Sequence, residues 1–290
     1  MKTPNTIFLC VLLLLAITLA ATGCRKEASV NQTGEAQPQQ SPAKSLVDLG
    51  DFKLRYVERK KINASDPERK VGSNPEAMQK VVLDINEQIA LPYDISVSFE
   101  DCEGPDAYYD REMHQITVCY QLIDDYYDIF SLKLKDKTKL DEAVKGATAS
   151  TFFHELGHAL IDVLKLPATG KEEDAADQLS TLVLINRTEG GEEMALNGAL
   201  SFKLYAELDK GVRKIYWDEH SLDEQRFYDS LCLIYGHDPV KYDYLVKDGT
   251  LPEERAGMCT EDNKKLAWSW HQLLLPHLKD GRPLSKLGQK

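Results

Sequence analysis

Histidine is scarce in this 290-residue chain, seven in all, and positive charge is in deficit, with a formal net charge of −12. No basic stripe interrupts the acidity, which argues against nucleic acid and against adsorption to anionic lipid, and favours basic peptides only weakly. Long apolar runs are lacking too. The run from Ile7 to Ala21 holds about fifteen mostly apolar residues, where a spanning helix needs about twenty. None of the six cysteines has the close CxxC spacing of a cysteine zinc site. No internal repeat is apparent.

Against that scarcity, two histidines stand in one short string, His154-Glu155-Leu156-Gly157-His158. On a helix turning about 100° per residue, His154 and His158 lie about 40° apart around the axis and about 6 Å along it, so both imidazoles reach one ion. Glu155 stands where its carboxylate meets a zinc-activated water without ligating the metal, the placement of a general base. Phe152, Phe153, Leu156, Ala159, Leu160, Val163 and Leu164 fall on the opposite side, so the helix is anchored on its back and presents the motif on its front. Thr138-Lys139-Leu140-Asp141 has capping-box character for its start, and Pro167 with Gly170 supplies a stop.

The third ligand separates classes of site. A metzincin needs Gly at 161 and His at 164, where this chain has Ile161 and Leu164. Instead, Lys171-Glu172-Glu173-Asp174-Ala175-Ala176-Asp177-Gln178 opens a second helix reaching about Ile185. Its carboxylates suit a helix N-terminus, so each has a capping role open to it. Glu173 and Asp177 form ExxxD, one turn apart on one face: Glu173 completes the zinc sphere while Asp177 takes the far nitrogen of a ligating histidine. Glu172 and Asp174 stay open as ligands, though neither has a carboxylate partner one turn on.

Met1-Lys2, the apolar run and Ala21-Thr22-Gly23-Cys24 read as a signal peptide over 1–23, ending in a motif like the bacterial lipoprotein box. Cys24 then carries a lipid anchor in the membrane; an ordinary secretory signal is the alternative. Residues 24–46 turn to Gln, Ser, Pro, Ala and Glu without periodicity and read as a disordered tether. The domain proper is 47–290, in the bacterial cell envelope or otherwise secreted. Removing Cys10 and Cys24 leaves Cys102, Cys119, Cys232 and Cys259, which three pairings can join. Local closure favours Cys102 with Cys119, fastening two neighbouring strands, and Cys232 with Cys259, tying two C-terminal helices.

Alternation at Phe52 to Val57, Ile95 to Phe99 and Gln115 to Tyr120 predicts three strands, with a helix from Pro75 to Ile89 between the first two. Beyond them come helices over Gln121–Ser131, the motif pair, Glu193–Leu208, Leu222–Tyr235, Pro239–Val246 and Glu261–Leu275. The class is α+β, a small antiparallel or mixed sheet followed by a mostly helical, zincin-like body. Gln115 to Tyr120 is the candidate strand edge for pairing with an extended substrate, with a plain core strand as the alternative.

HExxH followed by ExxxD resembles the gluzincin peptidases of the thermolysin type. The longer strings resemble a family of bacterial metallopeptidases so called from this motif, with function otherwise undefined. The resemblance runs from about Val47 to Leu278. It rests on Cys102, Tyr109-Asp110, Ile116 to Tyr120, the HELGH and EEDAADQL segments, Glu219-His220-Ser221, Gln225 to Tyr228, Cys232, Leu251 to Arg255, Cys259 and Trp270 to Leu278. The family pattern has an Asn and a Phe near Asp106-Ala107-Tyr108-Tyr109, a departure that bears on substrate contacts rather than on the metal. The resemblance implies a zinc-dependent peptidase acting on peptide or protein. For the growing charge on an attacked carbonyl, His220 is the candidate donor because neighbouring carboxylates hold a histidine protonated. Arg226 and Tyr228 are alternatives, as is a merely structural His220. A non-catalytic zinc-containing lipoprotein and a hydrolase of other amides are the rival functions.

Overall fold

The computed structural model describes residues 48–59, 75–186 and 190–279. The expected leader, 1–23, and tether, 24–46, lie outside the described residues. Among the described residues no helix is long and apolar enough to cross a membrane.

Strand β1 (Phe52–Tyr56), helix α1 (Pro75–Asn86) and strand β2 (Ile95–Glu100) come first, then β3 (Ala107–Asp110) and β4 (Gln115–Cys119). The order across the sheet is β1-β2-β4-β3, with β1/β2 and β2/β4 parallel and β3/β4 antiparallel, so the sheet is mixed. The sequence does not announce β3: Ala107-Tyr108-Tyr109-Asp110 is too short to show a period-two pattern. Its presence corrects the substrate-edge expectation for Gln115 to Tyr120. That strand is paired on both sides, so its backbone groups are already bonded, and Tyr120 starts the next helix. Among the described residues the open edge beside it belongs to β3.

The helical body runs α2 (Tyr120–Ser131), α3 (Lys137–Val163), α4 (Glu172–Ile185), α5 (Gly191–Leu208), α6 (Asp223–His237), α7 (Asp243–Lys247) and α8 (Glu253–Leu274). Strands first and helices after is the expected α+β order. Helix α3 is the central post, packed on α2, α4, α5 and the β3/β4 hairpin. Phe152, Phe153, Leu156, Ala159 and Leu160 are all buried, each large apolar side chain contributing on the order of 1.5–3 kcal/mol. His154 and Glu155 are buried as well, so the motif face is not a solvent-facing front but is roofed by α4.

Three helix ends differ from their expected signals. Helix α3 begins at Lys137, directly after Asp136, whose carboxylate caps it by accepting from Lys139 N at 3.0 Å, and not at a Thr138 capping box. It stops before Pro167 and Gly170, because Lys165 takes a left-handed φ of 54° and Leu166 N bonds Ile161 O at 2.9 Å, closing the carbonyls that a helix end leaves open. Helix α8 starts at Glu253, not Glu261, with Pro252 preceding it and Glu253 and Glu254 in the first turn to suit the dipole.

Both expected disulfides are present. Cys102–Cys119 ties the exit of β2 to the end of β4, and Cys232–Cys259 joins α6 to α8. A Cβ on Gly236 would come within 2.1 Å of Cys259 O, so α6 and α8 meet at backbone distance beside that bond.

Candidate metal centre

Helix α3 brings His154 and His158 to one side as adjacent turns, with ring centroids 4.8 Å apart. The chain reverses after Leu164 and starts α4 at Glu172, where Glu172, Glu173 and Asp174 occupy the first turn. Gly157 sets how near α4 can lie, since a Cβ there would stand 2.9 Å from Ala176 Cα. Only a residue without a side chain admits that approach, and the approach carries Glu173 and Asp177 on to the histidines.

Three donor atoms converge. His154 Nε2 and His158 Nε2 are 3.1 Å apart, and Glu173 Oε2 lies 3.1 and 3.3 Å from them. Their far nitrogens are taken: His154 Nδ1 meets Asp177 Oδ1 at 2.7 Å and His158 Nδ1 meets Glu172 Oε1 at 2.8 Å. A ring whose Nδ1–H donates to a carboxylate presents a lone pair at Nε2 when neutral. Two such lone pairs and a carboxylate oxygen then face one another, an arrangement that calls for positive charge between them. His154, His158 and Glu173 therefore could hold a metal ion, as the spacing of HExxH and ExxxD predicts.

The same carboxylates and rings shift one another's titration. Burial opposes a charged His154, but its bonds to Asp177 and Glu173 outweigh burial and hold the ring up at about 9. Burial likewise works against a charged Glu173, yet bonds from His154, His158 and His220 hold it well below the usual carboxylate range. Asp177 is also held low against burial, first by Arg226, whose Nε and Nη2 reach its two oxygens at 2.7 and 2.9 Å, and then by His154.

The donors open on a cleft of about 540 Å³ lined by Asp106, Tyr108, Tyr109, Glu155, Lys171 and His220, among others. Burial pushes Glu155 above the usual carboxylate range while the two histidines pull it back, which suits a carboxylate that must take up and release a proton. His220 reaches the site from the segment between α5 and α6, with Nε2 2.9 Å from Glu173 Oε2. That bond raises its pKa against the opposing effect of burial. Lys171 Nζ holds the segment by the carbonyls of Asp218 and His220 at 3.1 and 3.2 Å. Of the other expected donors, Arg226 lies behind Asp177 with its guanidinium 4.0 Å from the Phe202 ring centre, and Tyr228 packs on Phe227; neither lines the cleft.

The sequence pattern leaves Glu172 open as an alternative ligand and gives Arg111 no role. In the structure Glu172 serves the second histidine as Asp177 serves the first, and Arg111 Nη2 holds Glu172 at 2.7 Å. Asp174 instead accepts from Ser221 Oγ at 2.7 Å. The nearest signal was the run of acids itself, since α4 places neighbours Glu172 and Glu173 about 100° apart and so toward different atoms.

A protein family described as "Putative metallopeptidase" matches residues 56–274, well over half of the chain. Comparison with curated proteins and with solved structures gave no match.

Proposed function

The chain belongs to this family, and from that premise we propose that it is a zinc-dependent peptide hydrolase of the bacterial cell envelope. The observation that carries the proposal is the convergence of His154, His158 and Glu173 with both Nδ1 atoms held by carboxylates, beside buried Glu155 in an open cleft. The donor set suits zinc. Four ligands at about 2.0–2.1 Å in a tetrahedron set neighbouring donors about 3.3–3.4 Å apart. The three edges here are 3.1, 3.1 and 3.3 Å. When bound, zinc acidifies water and polarises a carbonyl oxygen.

The chain's own groups supply the rest. Glu155 takes the proton from the attacking water and passes it to the leaving nitrogen as the peptide bond breaks. His220 turns its Nε2–H from Glu173 Oε2, 2.9 Å away, to the carbonyl oxygen as negative charge grows there. Strand β3 aligns the peptide. Cys119 N bonds Asp106 O at 3.0 Å, so Asp106, Tyr108 and Asp110 turn their backbone groups to β4, while Ala107 and Tyr109 turn theirs outward for an added strand. The lipoprotein-like leader over 1–23, followed directly by Cys24, supports the envelope location.

The rival is a zinc-containing lipoprotein that binds a partner without catalysis; a buried carboxylate at 155, which no metal ligation requires, favours the enzyme. Purified domain is assayed for zinc content and for cleavage of mixed peptides beside Glu155→Gln. Zinc is expected in both, with hydrolysis in the variant reduced about 10²- to 10⁴-fold. Zinc in both and cleavage in neither gives the rival reading.

A further inference from the structure

The two metal-site histidines are supported in different ways. His154 leans on Asp177 and Arg226, both largely buried and both on helices of the body. His158 leans on Glu172, and Glu172 on Arg111, whose side chain is 59% exposed. Arg111 stands one residue beyond the end of β3, in the turn to β4. That turn is built: Asp110 Oδ1 accepts from Glu112 N and Met113 N at 2.8 and 2.9 Å. On the same strand Tyr109 donates to Asp162 Oδ2 at 3.1 Å, one helical turn past His158. The free sheet edge at the cleft is thus fastened to α3 directly, and to His158 through α4.

We propose that Glu172 and Arg111 are positioning residues, Glu172 fixing the ring of His158 with Nε2 turned to the metal and Arg111 fastening Glu172 to the β3–β4 turn. The proposal rests on the zinc reading above. Glu172 accepts the Nδ1–H of His158, which selects the tautomer that leaves Nε2 free to ligate. Arg111 bonds the same oxygen, Oε1, so the carboxylate is held from both sides and its rotation is restricted. The strand edge and the metal ligand then share one fastening, and loosening Arg111 disturbs both.

The test measures zinc affinity by chelator competition, and the visible spectrum of cobalt(II) in the same site, for wild type, Glu172→Ala, Glu172→Gln, Arg111→Ala and Arg111→Lys. Glu172→Ala is expected to weaken zinc about ten- to a hundredfold and to alter the cobalt spectrum, with Glu172→Gln, still an acceptor, in between. Arg111→Ala is expected to weaken zinc about two- to fivefold, as befits an exposed ion pair, with Arg111→Lys recovering most of it. With zinc saturating and a peptide that wild type cleaves, Glu172→Ala lowers kcat at little cost in KM, while Arg111→Ala raises KM. Urea unfolding of the zinc-free variants serves as the check on folding. Wild-type zinc affinity in Glu172→Ala overturns the positioning role and leaves the zinc reading standing. Absence of zinc binding in wild type overturns the zinc reading itself.

Discussion

Replacing Gly157 by alanine adds one methyl group at the narrowest point between α3 and α4. Its Cβ would lie 2.9 Å from Ala176 Cα and 3.1 Å from Ala176 Cβ. Carbon atoms rest at about 3.5–4.0 Å, so the helices must part locally by roughly 0.5–1 Å. Ala176 is flanked on its helix by Glu173 and Asp177, and both move with it. Ligation tolerates about 0.2 Å, so a shift of this size takes Glu173 out of the sphere and stretches the Asp177 bond to His154. Stability of the zinc-free protein should fall only modestly. Overpacking costs about 1–3 kcal/mol, and relieving a helix-interior glycine returns about 1 kcal/mol, for a net loss of roughly 0–2 kcal/mol. The expected result is a zinc affinity at least about tenfold weaker, equal to about 1.4 kcal/mol, in a protein that still folds and whose zinc-free form loses no more than about 2 kcal/mol in urea unfolding. Chelator competition gives the first quantity and urea titration the second. A folded Gly157→Ala that binds zinc as tightly as wild type refutes the claim that the Gly157–Ala176 approach sets the ligand geometry.

Asp177→Ala should cost on the order of 3–5 kcal/mol in urea unfolding, because it leaves the Arg226 guanidinium buried without its carboxylate, and zinc affinity should fall about ten- to a hundredfold; a change under about 1 kcal/mol defeats this. Closing 17- and 27-residue separations, the disulfides Cys102–Cys119 and Cys232–Cys259 should each contribute roughly 3–4 kcal/mol, the longer slightly more, so paired serine substitutions read by urea unfolding should rank in that order. Tyr126 is buried and its hydroxyl is pushed up to about 12, by burial first. The unfolded chain loses this proton near its ordinary value of about 10 while the folded chain keeps it, so the contribution is intact below pH 10 and is lost as pH rises toward 12, roughly 2–3 kcal/mol in all. Unfolding of wild type and Tyr126→Phe across pH 9 to 12 should therefore show the gap between them shifting in the variant's favour as pH rises, and a constant gap counts against it.

What could be read from the chain and what could not divides by the range of the interaction. HExxH and ExxxD are each a single helical turn, so the facing within each pair follows from the helical period alone, while the packing of α4 on α3 at Gly157 brings His154, His158, Glu173 and Asp177 together. The two disulfides close locally and were favoured for that reason. The β3 edge escaped because four residues cannot display alternation, and the expectation passed to β4, whose stronger pattern reflects burial between two partners. The sequence places the start of α3 two residues late because Asp136 and Thr138 are both competent caps, and only the bond to Lys139 N selects one.

Glu172 shows why local pattern stops short of the site. By spacing it has no carboxylate one turn on, and that criterion correctly withheld from it the role of Glu173. The same criterion says nothing of Arg111, 61 residues away in sequence, which gives Glu172 its place. A helix with acids at 172, 173 and 174 presents them in three directions, and the surrounding fold assigns the partners: His158 with Arg111, the donor cluster, and Ser221. Because one helix start serves three partners, small displacements of α4 reach the ligand Glu173, the support of His158 and the segment bearing His220 together. The closeness of Gly157 to Ala176 thus constrains the whole cleft, well beyond the one ligand it sits beside.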